Sequence, residues 1–246
     1  MDTQTVLSFV FAILVPYLIC SINPAIAVTK IKSGKDIRTL GSKNPGLTNT
    51  LRTQGKVAAI IVLLFDVSKG IISILATIAF TEHLTNSGGL LCDGATVACV
   101  WRNGEIFIWL ATLFAVFGHC YPIWHKFKGG KAVLVTITTL FVIDWVVAAF
   151  LLLIFIIIVA ITRYVSLGSV IAALLYPFAI FASDNWLDGF ALVETPHRFT
   201  FVGMIYSATI AIIIIYKHVT NIERLINKTE KKLGKSERDG LVEEKT

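Results

Sequence analysis

The sequence predicts an all-α, polytopic integral membrane protein with seven transmembrane helices, its N-terminus outside and its C-terminus cytoplasmic. Three observations carry that prediction. Only 15% of the 246 residues are charged and 55% are hydrophobic, with a mean hydropathy of +0.76, whereas soluble domains carry about 25% charged residues. The apolar residues gather into seven runs near the length of about twenty that a spanning helix needs. The basic residues fall almost entirely between alternate pairs of those runs.

The expected spans are Val6–Val28, Val57–Phe80, Glu105–Tyr121, Gly130–Trp145, Val146–Tyr164, Ser166–Ala182 and Phe199–Lys217. The first has the small residues Ala25-Ile26-Ala27 near its end, as a cleavable signal would. Residues 1–5 hold no Lys or Arg, however, so the basic head of a signal peptide is missing and the run reads as a permanent span. The second carries Asp66 and Lys69 inside the apolar run, three apart on a helix, where they can pair with each other or face a substrate. The third and fourth are short. The fourth and fifth meet at Asp144–Trp145, a charge beside an interfacial aromatic.

Nineteen of the 22 Lys and Arg lie on one side: in residues 28–56, in 118–131, at Arg163, and from Lys217 to the end. Arg102 and Arg198 lie on the other, and Lys69 is within a span. The positive-inside rule makes the basic side cytoplasmic, and an odd number of spans then puts the N-terminus outside. The net charge of +6 therefore reads as topology and phosphate handling, since the basic residues lack aromatic interleaving on a soluble face; no nucleic-acid partner is expected. Cys92 and Cys99 share the outer loop 81–104, where thiols can oxidise, which leaves a disulfide and free thiols both open. Cys20 and Cys120 read as buried thiols. No Cys/His spacing resembles a zinc site, so no metal is expected.

Four polar islands face the cytoplasmic side. The first, Asp36–Lys56, offers donors from Ser42, Asn44, Thr48, Asn49 and Arg52, with Gly41 and Gly46 freeing the backbone to turn towards a common point. A planar guanidinium among small polar groups suits a phosphorylated ligand, although a solvated loop beside two helices has the same composition. The second, Gly118–Lys131, brings His119 and then Lys128-Gly129-Gly130-Lys131 to the start of a helix, where free N–H groups favour an anion. It is not a Walker A loop. The third, Arg163–Ser169, sets Arg163, Ser166 and Gly168 at another helix start. In the fourth, Lys217–Leu225, His218 and Asn221 share one helical face. Residues 227–246 read as a charged, flexible cytoplasmic tail after a single membrane domain of residues 1–226.

Taken together, these islands resemble the bacterial membrane acyltransferases that move a fatty acyl group from acyl phosphate to glycerol 3-phosphate. The family's first motif, DIRxxGSGNxGATNxxR, is matched by Asp36 to Asn49 followed by Arg52. LLLDxxKG is matched by Leu63 to Gly70, and GHxFPxFxxFKGGKG by Gly118 to Lys131. RYVSLGS is matched at every position from Arg163 to Ser169, and HxxNIxRL by His218, Asn221, Ile222, Arg224 and Leu225. The likeness covers about residues 20 to 226. Lys43 and Ala132 stand where the family has glycines, Leu47 where it has alanine, and Asn23-Pro24 replaces a more usual Ile-Pro.

The resemblance implies a seven-helix enzyme of the bacterial inner membrane, with a cytoplasmic site, no metal and no cofactor. Its substrates would be acyl phosphate and glycerol 3-phosphate, its products 1-acylglycerol 3-phosphate and phosphate. Ser42, Arg52, Lys128, Ser166, His218 and Asn221 would hold the substrates' phosphates and hydroxyls. Gly41, Asn44, Gly46, Thr48, Asn49, His119, Gly129, Gly130, Lys131, Arg163 and Gly168 would complete the binding site, and a monomer is expected. Two rivals remain. A permease for organic phosphates would need polar groups at mid-membrane and on both faces, but here they crowd one face. An acyltransferase of the HxxxxD type finds only His218-x4-Glu223.

Overall fold

A computed structural model describes residues 3–86, 97–186 and 200–234, with side chains described for 3–84, 106–183 and 201–234. The cysteine pair of the outer loop, Arg102, Arg198 and the tail beyond residue 234 lie outside the described residues or side chains. All regular structure among the described residues is helical. Five helices, or six if a bent pair is one span, are long and apolar enough to cross a membrane.

The first apolar run is two helices, α1 (Thr3–Cys20) and α2 (Pro24–Ser33). The expected uninterrupted span over Val6–Val28 breaks because a residue before proline is disfavoured in the helical region. Asn23 instead takes an extended conformation and caps α2, its side chain accepting from the Ile26 amide. Gly34, in the left-handed region at φ 68°, ends α2. A short helix, α3 (Leu47–Gln54), then leads through Gly55 into α4 (Lys56–Asn86).

α5 (Val97–Cys120) packs against α1 and α4. Their contact depends on Gly118, where an added Cβ would stand 2.3 Å from the Tyr17 carbonyl oxygen of α1. Gly118→Ala is expected to force α1 and α5 apart and destabilise the protein by about 1–3 kcal/mol, read as a lower Tm in detergent.

α6 (Val133–Ile143) has 11 residues, a rise of about 16 Å. It starts three residues later than the sequence reading because Ala132 is left-handed, at φ 57°. Asp144 ends α6 and caps α7 (Trp145–Thr162), accepting from the Val146 and Val147 amides and from the Ser183 hydroxyl at 2.7 Å. The charge expected to mark this turn therefore acts as a cap. α8 (Val165–Trp186) packs against α7 and against α9 (Thr200–Lys217), and α9 also touches α5. α10 (Val219–Ile226) departs from α9 at 58°.

Apolar side chains on the outer faces, such as Leu64, Phe65, Ile161, Phe178 and Ile212, are exposed. Facing hydrocarbon, they need no further protein cover. The buried core runs instead between α5, α6, α7, α8 and α9, around Val116, Leu140, Leu151, Tyr176 and Ile210.

Candidate active site

The first and second islands are tied together by Arg38. Its guanidinium pairs with Asp36 at 2.6 Å and donates to the carbonyls of His125 at 3.0 Å and Lys128 at 3.4 Å. That hydrogen-bonded guanidinium holds the Asp36 carboxyl below the usual carboxylate range. Inside the first island Asn49 is the staple. Its Oδ1 accepts from the Ser42 amide, and its Nδ2 donates to the Leu40 carbonyl. A Cβ on Gly41 would lie 2.3 Å from that Oδ1, and Gly41 has φ 56°, so only glycine closes this turn without strain.

A cavity of about 790 Å³ opens between these islands and the helices α6, α7, α8 and α10. Its polar end is lined by Ser42, Asn44, Thr48, Arg52, His119, Lys131, Ser166, His218 and Asn221, with Gly41, Gly46, Asn49 and Gly129 forming part of the wall. An apolar arm continues past Leu134, Ile137, Leu140, Leu151, Phe155 and Tyr176. Most of the residues singled out in the four islands therefore converge.

Four do not line the cavity. Lys128 is exposed, and its carbonyl is held by Arg38. The basic group that the second island brings to the cavity is Lys131, three residues on. Gly130 lies beneath the His119 ring, its would-be Cβ 2.2 Å from Nε2. Gly168 serves packing: a Cβ there would meet Phe155 and Val159 of α7 at 3.0 Å. Arg163 is exposed and ends α7 at φ 62°, its carbonyl accepting from the Leu233 amide at 2.8 Å. The two departures from the family glycines, Lys43 at φ 60° and Ala132 at φ 57°, are both left-handed, which explains why glycine suits those positions.

Sequence reading missed Glu230. Residues 227–234, expected to begin a flexible tail, turn back over the cavity instead. Glu230 accepts from Ser166 at 2.8 Å, Asn221 at 2.6 Å and Arg224 at 2.7 Å. Arg52 donates to the neighbouring Lys231 carbonyl at 3.0 Å. Burial alone would raise the Glu230 carboxyl, but the hydrogen bonds from Arg224, Asn221 and Ser166 outweigh it and hold the group below its ordinary value. The one available signal was an acid six residues after Arg224 in an otherwise basic stretch.

Lys131 donates to the Asn221 Oδ1. Burial pulls its ammonium down to about 8, against a smaller upward pull from Glu230. His218 contributes Nδ1–H to the Ile214 carbonyl at 2.8 Å, which leaves its Nε2 as an acceptor. Asp66 and Lys69 pair at 2.7 Å, and Asp66 also lines the cavity, so the structural pairing and the site coincide.

A family model described as glycerol-3-phosphate acyltransferase matches residues 10–228. A glycerol-3-phosphate acyltransferase of Francisella tularensis subsp. tularensis (strain FSC 198) is 35% identical over 226 residues, 91% of this chain and 93% of its own. One from Prochlorococcus marinus (strain MIT 9312) is 33% identical over 228 residues, 93% and 99% respectively. The crystal structure of PlsY, an integral membrane glycerol 3-phosphate acyltransferase, superposes in its glycerol 3-phosphate form with a TM-score of 0.68 at 29% identity. That match covers 92% of this chain and 96% of the other. A likeness of this length, in sequence and in fold together, assigns the chain to the glycerol-3-phosphate acyltransferase family.

Proposed function

We propose that this membrane acyltransferase takes its acyl group from acyl phosphate, giving 1-acylglycerol 3-phosphate and inorganic phosphate. The observation that carries the reading is the two-part cavity, with basic and hydroxyl groups at one end and an apolar arm at the other. Acyl phosphate has that same division, an anionic head on a hydrocarbon chain. From Ser166 to Tyr176 the arm follows ten residues of α8, a depth of about 15 Å. Arg52 and Lys131 are the cations suited to the two substrate phosphates, with Ser42, Thr48, Ser166 and Asn221 as further polar partners. The His218 Nε2, an acceptor, suits the glycerol hydroxyl, which it would orient towards the acyl carbonyl. The departing phosphate then takes the hydroxyl proton, and catalysis rests on positioning and electrostatics.

The same reading gives seven spans, α1, α4, α5, α6, α7, α8 and α9, with the short α6 completed by its flanking loops. The bias of basic residues supports a cytoplasmic site, an outer N-terminus and residence in a bacterial inner membrane, as a monomer. A donor comparison tests the proposal. Purified protein in detergent receives glycerol 3-phosphate with acyl phosphate, acyl carrier protein thioester or acyl-coenzyme A. Acyl phosphate alone is expected to support turnover. A thioester used equally well would overturn the donor assignment, and phosphate release in detergent separates the enzyme from a permease.

A further inference from the structure

We propose that His119 is a neutral hydrogen-bond donor to a phosphate oxygen in this cavity, and that the buried Asp66–Lys69 pair sets the tautomer that makes it one. The inference rests on the reading of the cavity as a phosphate site and adds a residue role to it.

The Lys69 Nζ forms an ion pair with Asp66 and hydrogen bonds with two further groups. Asp66 Oδ1 is at 2.7 Å, the Ile22 carbonyl at 2.9 Å and His119 Nδ1 at 3.0 Å. A paired ammonium can only donate, so Nδ1 of His119 must accept. The ring proton therefore sits on Nε2. The His119 side chain is 5% exposed, His119 lines the cavity, and no hydrogen bond to its Nε2 forms among the described residues. An N–H on this side chain with no protein partner is available to a ligand in the cavity. The Nε2 atom packs over Gly130, whose sequence neighbours Gly129 and Lys131 both line the cavity.

The two cavity histidines are thus fixed in opposite senses. His218 donates through Nδ1 to the Ile214 carbonyl and presents an acceptor; His119 accepts through Nδ1 from Lys69 and presents a donor. One suits a hydroxyl and the other an oxyanion. Asp66 acts through Lys69 as a positioning residue: it holds the ammonium, and the ammonium holds the ring. The tie to Ile22 anchors all three groups to the break between α1 and α2.

The test uses the full chain in detergent. His119→Gln places an amide N–H near the Nε2 position, whereas His119→Leu keeps bulk and removes the donor. The Leu variant is expected to lose about ten- to a hundredfold in kcat/KM, and to bind inorganic phosphate more weakly by calorimetry. The Gln variant is expected to recover most of both. The charge-neutral double variant Asp66→Asn, Lys69→Met removes the tautomer constraint. In 15N-histidine NMR its His119 signal is expected to move from the Nε2–H form to a mixture, with a matching partial loss of activity. A folded Leu variant with normal phosphate binding would overturn the proposal, and so would a Gln variant as damaged as Leu, or an unchanged tautomer in the double variant. Calorimetry reads phosphate binding without turnover, so failure of the acyl-phosphate reading and failure of this one give different results.

Discussion

Lys131→Ala is expected to lower kcat/KM for glycerol 3-phosphate by roughly tenfold to over a hundredfold, while Lys128→Ala stays within a few-fold of the parent. A charge-assisted hydrogen bond in a partly dry site contributes about 1.5–3 kcal/mol, which sets that range through the rate equation. Both lysines flank the same glycine pair, so the contrast isolates placement from composition. Lys131 lines the cavity and holds Asn221, whereas the Lys128 side chain faces outward. The two variants should be compared at matched Tm, so that folding does not enter. Equal losses, or a larger loss at Lys128, would reverse the assignment.

Lys131 also makes a pH prediction. Its ammonium is pulled down to about 8, so its charge is present below that pH and lost above it. Affinity for a phosphate substrate should therefore fall as pH rises through 8. Bound phosphate favours the charged form, so the fall should appear in kcat/KM, which reports the free enzyme, before it appears in kcat. In Lys131→Arg the alkaline limb should vanish from that region.

Glu230→Ala is expected to destabilise the protein by about 2–4 kcal/mol, since it leaves Arg224, Asn221 and Ser166 without their shared acceptor. At about 2–4 °C per kcal/mol for a chain of this size, Tm should drop by several degrees. Activity should fall with it, because Ser166, Asn221 and the loop carrying Lys231 lose their common anchor. The pH behaviour has a definite sign. The folded Glu230 carboxyl sits below its ordinary value, so its contribution is present above about pH 4.5 and is lost as pH falls through the lower, folded value. The parent should therefore lose more stability than Glu230→Ala on acidification below that pH. Identical acid profiles would show that Glu230 carries no such contribution.

The sequence by itself determined the membrane class, the four polar islands and most of the residues that line the cavity. Those features are local or compositional: apolar runs of spanning length, and donors and glycines clustered within a few residues. The motif order was enough to reach the family before any coordinates. Only the tertiary structure decided which of two neighbouring lysines faces the cavity, because a three-residue step around left-handed Lys126, Phe127 and Ala132 redirects the chain in a way no periodicity encodes. It also separated Asn49, whose amide is used up on the loop backbone, from the donors still able to meet a ligand. The break at Asn23-Pro24 was readable in principle, but strong apolarity on both sides masked it. Glu230 left only a faint trace, an acid six residues after Arg224. It lies 64 residues beyond Ser166 in a stretch whose composition suggests disorder, and what orders it is a set of hydrogen bonds to groups that only the packed helices bring together.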